Sequence, residues 1–298
     1  MTLDRKCDVS VIIPAYSAED HIERSINSVF KQTVLPNEII VVDDGSEDGT
    51  WLTLSEIAKR QNPTILKIFS KSHGGPGAAR NLAIRNSSSY YLAFLDADDE
   101  WLPTKLEETM RYMVDNSYDL VAHNVLMVEG GVEKKNNISS RYSKSLGQLY
   151  YGLYCRGFLA TSTVIVPVSL VQKYGGFDET LDAGQDFELW LNILSKKESR
   201  FLVFESYLTK YHVRSGSVTR NAKLRLECTI EIAKRYAPLL STHNSSIYRG
   251  FLFRMAAIHY EAMCSYLSKN NPLLAIGVLI KFPFRLLFEF FILLKSLK

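Results

Sequence analysis

Through its first hundred residues the chain alternates short apolar runs rich in Val, Ile and Leu with segments whose apolar residues recur at helical spacing, and few architectures accept that rhythm. The strand-like runs are residues 9–13, 38–42, 65–69 and 90–95. The segments between them, 18–32, 47–60 and 78–85, carry apolar positions such as Ile22, Ile26 and Val29. Such alternation predicts an α/β fold built on an open, mainly parallel, doubly wound sheet with helices on its faces. The first half of the chain therefore reads as a nucleotide-binding fold.

Beyond Pro103 a helix to about Val114, a strand over 120–128 and a polar turn at Glu129-Gly130-Gly131 give a β-rich middle. A strand at 163–166, a loop at Tyr174-Gly175-Gly176-Phe177-Asp178, an amphipathic helix over 185–195 and a strand over 201–211 follow. From Asn221 onward the period is helical throughout, and 273–298 is very apolar. With 298 residues, 46% hydrophobic and 22% charged, the chain has the composition of a folded protein. A formal charge of +3 gives no reason to expect nucleic acid as a partner. Cys7, Cys155, Cys228 and Cys264 are scattered, which argues against a disulfide framework or a zinc cluster and for a reducing, cytoplasmic setting. The N-terminus shows no secretion signal, so the sequons at Asn86, Asn137 and Asn244 are expected to be accidental.

In an open parallel sheet, ligands bind beyond the carboxyl ends of the strands. Strand one ends in Pro14-Ala15-Tyr16, strand two in Asp43-Asp44-Gly45-Ser46 and strand four in Asp96-Ala97-Asp98-Asp99. Each has a plain structural reading, as turn, cap or packing residue; their joint placement at one edge favours a site. Asp96 and Asp98 lie on one side of an extended segment, where they repel unless a cation intervenes, and hard oxygen ligands suit Mg2+ or Mn2+. The loop Ser72-His73-Gly74-Gly75-Pro76-Gly77 opens a helix bearing Arg80, so backbone amides and a guanidinium could meet one anionic ligand. It lacks the Gly-Lys-Ser/Thr ending of a P-loop. Asp186, in Gln185-Asp186-Phe187-Glu188-Leu189-Trp190, is a first-turn carboxylate that either complements a helix dipole or does chemistry.

These pieces, with Val11-Ile12-Ile13, Val41-Val42, Gly75 through Ala78-Ala79-Arg80-Asn81, Phe94-Leu95 and Gly176-Phe177-Asp178, resemble in order and spacing the family 2 glycosyltransferases, inverting enzymes of the GT-A fold, over about residues 7–220. The resemblance implies a catalytic domain at 1–219, with a nucleotide-binding half at 1–115 and an acceptor-side half at 116–219, followed by a helical region at 220–298. It implies that Pro14, Ala15, Tyr16, Asp43 and Asp44 receive the nucleotide and that Arg80 serves base and phosphate. Asp96 and Asp98 would then hold ribose and metal, and Asp186 would be the catalytic base. Gln185, Trp190, His212 and Arg214 are candidates near diphosphate or acceptor. Three departures are visible: Ser17 where Asn is usual, Gln185 in place of Glu before Asp186, and His212 and Arg214 in exchanged order.

Transfer from an activated donor needs one base, because a metal-bound diphosphate leaves unprotonated, whereas glycoside hydrolysis needs two flanking carboxylates. One remote Asp and one Asp-x-Asp fit transfer from a nucleotide-sugar, UDP-linked by family habit, to a glycan or lipid-linked acceptor. The alternative is a catalytically silent nucleotide-sugar-binding partner subunit. In the tail, Pro283 and the charged residues break every window long enough to span a membrane. Lys281, Arg285, Glu289, Lys295 and Lys298 project to one half of the helix, opposite Leu286, Leu287, Phe290, Phe291 and Leu294. This predicts a peripheral helix at the inner membrane leaflet, with packing on the chain itself or on a second copy as the competing reading.

Overall fold

The computed structural model describes residues 6–60, 65–143, 148–213 and 221–297. They divide into two compact units, one from residues 1–141, 159–179 and 198–213 and the other from residues 142–158, 180–197 and 214–298.

In the first unit the described residues form one nine-stranded sheet of order β3-β2-β1-β4-β8-β6-β9-β5, with β7 paired to β6. The strands are β1 (Lys6–Ala15), β2 (Leu35–Asp43), β3 (Leu66–Ser70), β4 (Tyr91–Phe94), β5 (Glu100–Trp101), β6 (Leu120–Glu129), β7 (Val132–Asn136), β8 (Ile165–Pro167) and β9 (Phe201–His212). Strands β3, β2, β1 and β4 run parallel. Strand β8 enters antiparallel between β4 and β6. Strands β6 and β9 are again parallel, and β5 pairs antiparallel with β9. The parallel half is the doubly wound part expected from the sequence, and the turn at Glu129-Gly130-Gly131 does join a hairpin, β6 to β7.

Val9, Val11, Ile12 and Ile13 of β1 are fully buried, as are Ile39, Ile40, Val41 and Val42 of β2. Strands covered on both faces read as continuous apolar runs and not as an alternation. Helices α1 (Ile22–Phe30), α2 (Thr50–Arg60) and α4 (Lys105–Asn116) send Ile22, Ile26, Val29, Leu54, Ile57, Leu106 and Met113 into the core that contains Val9, Val11 and Ile13. Helix α3 (Gly75–Arg85) packs on β1 and β2. Helix α5 (Ile138–Ser143) follows the hairpin, and α7 (Val168–Lys173) follows β8. Glu38, within β2, is buried and accepts from Ser10 Oγ at 2.5 Å and from the Ser88 amide at 2.6 Å, and it pairs with Lys67.

The second unit is helical: α6 (Leu149–Arg156), α8 (Gln185–Ile193), α9 (Ala222–Tyr236), α10 (Ile247–Ser268) and α11 (Pro272–Ser296). Helix α10 packs against α6, α9 and α11. Of the polar half of α11, Arg285 and Glu289 turn inward. Arg285 pairs with Glu227 of α9, Glu289 is buried beside Lys234 of α9 at 2.9 Å, and Leu287 and Phe291 are exposed. Lys298 lies outside the described residues.

Candidate active site

Three strand ends of the parallel half carry the polar residues. At the end of β1, Ala15 pairs with Asp43, and the Tyr16 ring, about half exposed, stands 4.3 Å from the His73 ring at an interplanar angle of 32°. Ser17 follows in the left-handed region at φ 48°, its amide donating to Ser46 Oγ at 3.0 Å. Asn tolerates that conformation better than Ser, so the departure at this position carries a small conformational cost.

At the end of β2, the Asp43 carboxylate accepts from the amide and hydroxyl of Ser46, which closes the turn. Gly45 sits at φ 76°, where a Cβ would meet the His73 amide nitrogen at 2.8 Å, so this close approach demands glycine. Asp44 is buried, and its oxygens accept from the amides of Gly74 and Gly75 at 3.0 and 2.7 Å and from Lys71 Nζ at 2.8 Å. Two of the glycine-loop amides offered by the sequence to an anionic ligand, those of Gly74 and Gly75, are thus engaged by Asp44, which ties the loop to the sheet.

At the end of β4, Arg80 Nη2 donates to Asp96 Oδ1 at 2.6 Å, with its guanidinium 5.2 Å from the Phe177 ring centre. The main chain of the acidic segment is held from several sides. Ser25 Oγ donates to Asp96 O at 3.2 Å, Arg24 Nη2 donates to Asp98 O at 2.7 Å, and the Asp96 amide donates to Ser162 Oγ at 3.1 Å. Burial pushes the Asp98 carboxyl up to about 6, and the Asp96 charge adds to the shift. Asp99 is fully buried and raised well above the ordinary range by burial first and then by Asp96 and Asp98. It accepts from Ser162 Oγ at 2.5 Å and from the His212 amide at 3.3 Å. The His212 imidazole is pushed below its ordinary value, chiefly by burial and then by Arg24. Arg214 lies outside the described residues.

The acidic segment therefore has a scaffold that no motif reading supplies: Arg24 and Ser25 of α1, Ser162, and Trp101, whose Nε1 donates to Ser162 O at 2.8 Å beneath the buried Lys105 ammonium, 4.0 Å from its ring. The one sequence signal was that Arg24 and Ser25 share a helical turn. Asn81, next to Arg80, brackets Phe177 by accepting its amide at 2.9 Å and donating to its carbonyl at 2.8 Å.

In the second unit Asp186 is half-buried in the first turn of α8, after Gly184 at φ 76°. Gln185 is buried and donates to Leu181 O at 2.5 Å, and Trp190 is fully buried. Glu188, one turn after Gln185, is buried, accepts from the Tyr236 hydroxyl and pairs with the exposed Arg235 at 3.3 Å.

Among the described residues no group of three or more His, Cys, Asp or Glu converges as a ready-made metal cage. A cation held by one or two carboxylates and completed by phosphate oxygens needs no such cage. Asp98, part-buried beside the Asp96 charge, fits such an ion, because a cation there would stabilise its charged form.

A Rossmann-like parallel half ending in an acidic segment flanked by arginines, continued by an antiparallel strand and a second parallel pair, is the GT-A fold of glycosyltransferases. Residues 10–165 match the profile described as Glycosyl transferase family 2, and the chain belongs to that family. It is 33% identical over 220 residues to WfaP of Escherichia coli, a UDP-Glc:alpha-D-GlcNAc-diphosphoundecaprenol beta-1,3-glucosyltransferase, covering 72% of this chain and 80% of that one. It is 28% identical over 220 residues to TuaG of Bacillus subtilis, a putative teichuronic acid biosynthesis glycosyltransferase, covering 72% and 82%. Among solved structures, Staphylococcus aureus TarS 1–349 with UDP-GlcNAc aligns at a TM-score of 0.63 and 21% identity, covering 92% and 81%. The Pyrobaculum calidifontis mannosyltransferase PcManGT with GDP-Man and Mn2+ aligns at 0.63 and 16%, covering 93% and 82%.

Proposed function

We propose that the chain is an inverting enzyme that moves a sugar from a UDP-sugar to a hydroxyl of a lipid-linked or growing surface glycan, working at the cytoplasmic face of the membrane. The observation that carries this reading is the acidic segment Asp96-Ala97-Asp98 at the end of β4, with Arg80 on the Asp96 carboxylate and with Arg24 and Ser162 holding the main chain of the segment. Mg2+ or Mn2+ would be held through Asp96-Ala97-Asp98, chiefly by Asp98, and when bound would supply charge to the departing diphosphate. WfaP acts, by its name, on UDP-Glc and a diphosphoundecaprenol-linked sugar, and PcManGT was solved with Mn2+; both support the reading.

Within it, Pro14, Ala15, Tyr16 and Asp43 receive the base, Asp44 acts by holding the glycine loop, and Arg80 keeps Asp96 oriented toward the ribose. His212 and Arg214 belong to the diphosphate side. Residues 1–115 are the donor half, 116–219 the acceptor-side half and 220–298 the helical region that meets the acceptor's surroundings. Asp186 takes the proton of the acceptor hydroxyl. That oxygen then bonds to the anomeric carbon as the bond from this carbon to the diphosphate oxygen breaks, so one displacement inverts the configuration.

The test supplies a panel of UDP-sugars, Mg2+ or Mn2+, and a short-chain polyprenyl-diphosphate-linked sugar. The expected result is a product of inverted anomeric configuration by NMR and complete loss of turnover in EDTA. Retained configuration, or turnover indifferent to EDTA, overturns the mechanism.

A further inference from the structure

Helix α11 has its polarity reversed for a helix resting on a protein. Its outward side carries Leu273, Ile280, Phe284, Leu287, Phe288 and Phe291, with Leu273 83% and Phe284 73% exposed. Its inward side holds Ala275, Leu293 and Glu289, the last only 5% exposed. The charges on that side are engaged: Arg285 makes a two-pronged pair with Glu227, and Lys234 pairs with Glu289 at 2.9 Å. These pairs fix the rotation of the helix about its own axis, because turning the apolar side inward would strip buried Glu289 of its partner, which is strongly unfavourable. The apolar side therefore stays outward, as a contiguous patch of the kind that marks a binding surface and not a bare monomer face.

What that surface fits follows from the charges left on it. Lys281 and Lys295 are exposed, and the helix's sole acidic residue is the inward Glu289. We propose that the outward face of α11 lies in the headgroup layer of an anionic bilayer, with Phe284, Phe288 and Phe291 inserted below the lysines, which meet lipid phosphates. A second copy fits the face poorly, since a twofold pairing would gather lysines from both copies at one apolar interface with no acid to answer them. Among the described residues no helix is long and apolar enough to cross a membrane, so the helix lies along the surface. The inference deepens the reading of a lipid-borne acceptor and rests on it for its purpose, though not for its geometry.

The full chain is floated with vesicles of phosphatidylglycerol and phosphatidylethanolamine, or of phosphatidylcholine alone. The first should bind it at low salt at least tenfold more tightly than the second. Phe284→Ser with Phe288→Ser, both at exposed positions, should weaken binding at least tenfold and leave donor hydrolysis unchanged. Lys281→Gln and Lys295→Gln should each cost about fivefold and flatten the salt dependence. If the wild type ignores phosphatidylglycerol vesicles at low salt, the proposal fails. It fails equally if the phenylalanine variant breaks up a dimer in sedimentation while vesicle binding persists, which would make the face an interface between copies. Vesicle binding without transfer to a polyprenyl-linked acceptor would uphold the surface and overturn the acceptor reading instead.

Discussion

The Ser162 hydroxyl donates a 2.5 Å hydrogen bond to the carboxyl of fully buried Asp99. Ser162→Ala leaves that acceptor without its donor and frees the Asp96 amide, so it should cost about 1–3 kcal/mol of stability. It should also weaken Mn2+ binding, with Ser162→Thr restoring both. Chemical denaturation and Mn2+ titration read the two effects; an alanine variant with unchanged Mn2+ affinity would show that Ser162 supports the fold alone.

Asp98→Asn should separate stability from function. A carboxyl held at about 6 is disfavoured in its charged form by the folded state, so the neutral amide should stabilise the metal-free protein at pH 7 by about 2 kcal/mol. In the proposed metal site the same change removes a charged ligand, and it should abolish EDTA-sensitive transfer. Thermal melts and activity assays on one preparation check both signs.

Asp186→Asn should keep donor affinity and lose on the order of 10² to 10⁴ in turnover, the range for a positioned acid or base. Calorimetry with UDP and Mn2+ gives the affinity, and product formation gives the rate. If the two fall together, Asp186 is a ligand or a structural residue.

Burial by itself would raise the Glu38 carboxyl, but its bonds from Lys67, Ser10 and Ser88 outweigh burial and hold it below its ordinary value of 4.5. A depressed acid stabilises the fold above its unfolded value, and that contribution is lost as pH falls through the folded one. Glu38→Gln should therefore destabilise by about 1–3 kcal/mol at pH 7. The gap to wild type should narrow steadily below pH 4.5, as urea denaturation at pH 7 and pH 3 would show.

The parallel half and its acidic tips were legible because buried parallel strands are continuous apolar runs and polar residues at their ends have few other reasons to coincide. The two-residue β5 and the short α6 were not, because neither is long enough to show a period. The partners of the acidic segment were also hidden: Ser162 lies 63 residues beyond Asp99, and only the return of the chain beside β4 brings them together. The two sides of α11 were visible in its spacing, but Glu227, 58 residues before Arg285, decides which side turns in.

Arg80 and Asn81 are neighbours on α3, one gripping Asp96 and the other gripping the backbone of Phe177. One turn of α3 therefore pins two segments at once, and Gly176, at φ 77° with no room for a side chain beside Asn81, is where the second is pressed tightest against it. A substitution that misplaced this turn would loosen the acidic end of β4 and the Phe177 backbone together, so the two should fail as a pair.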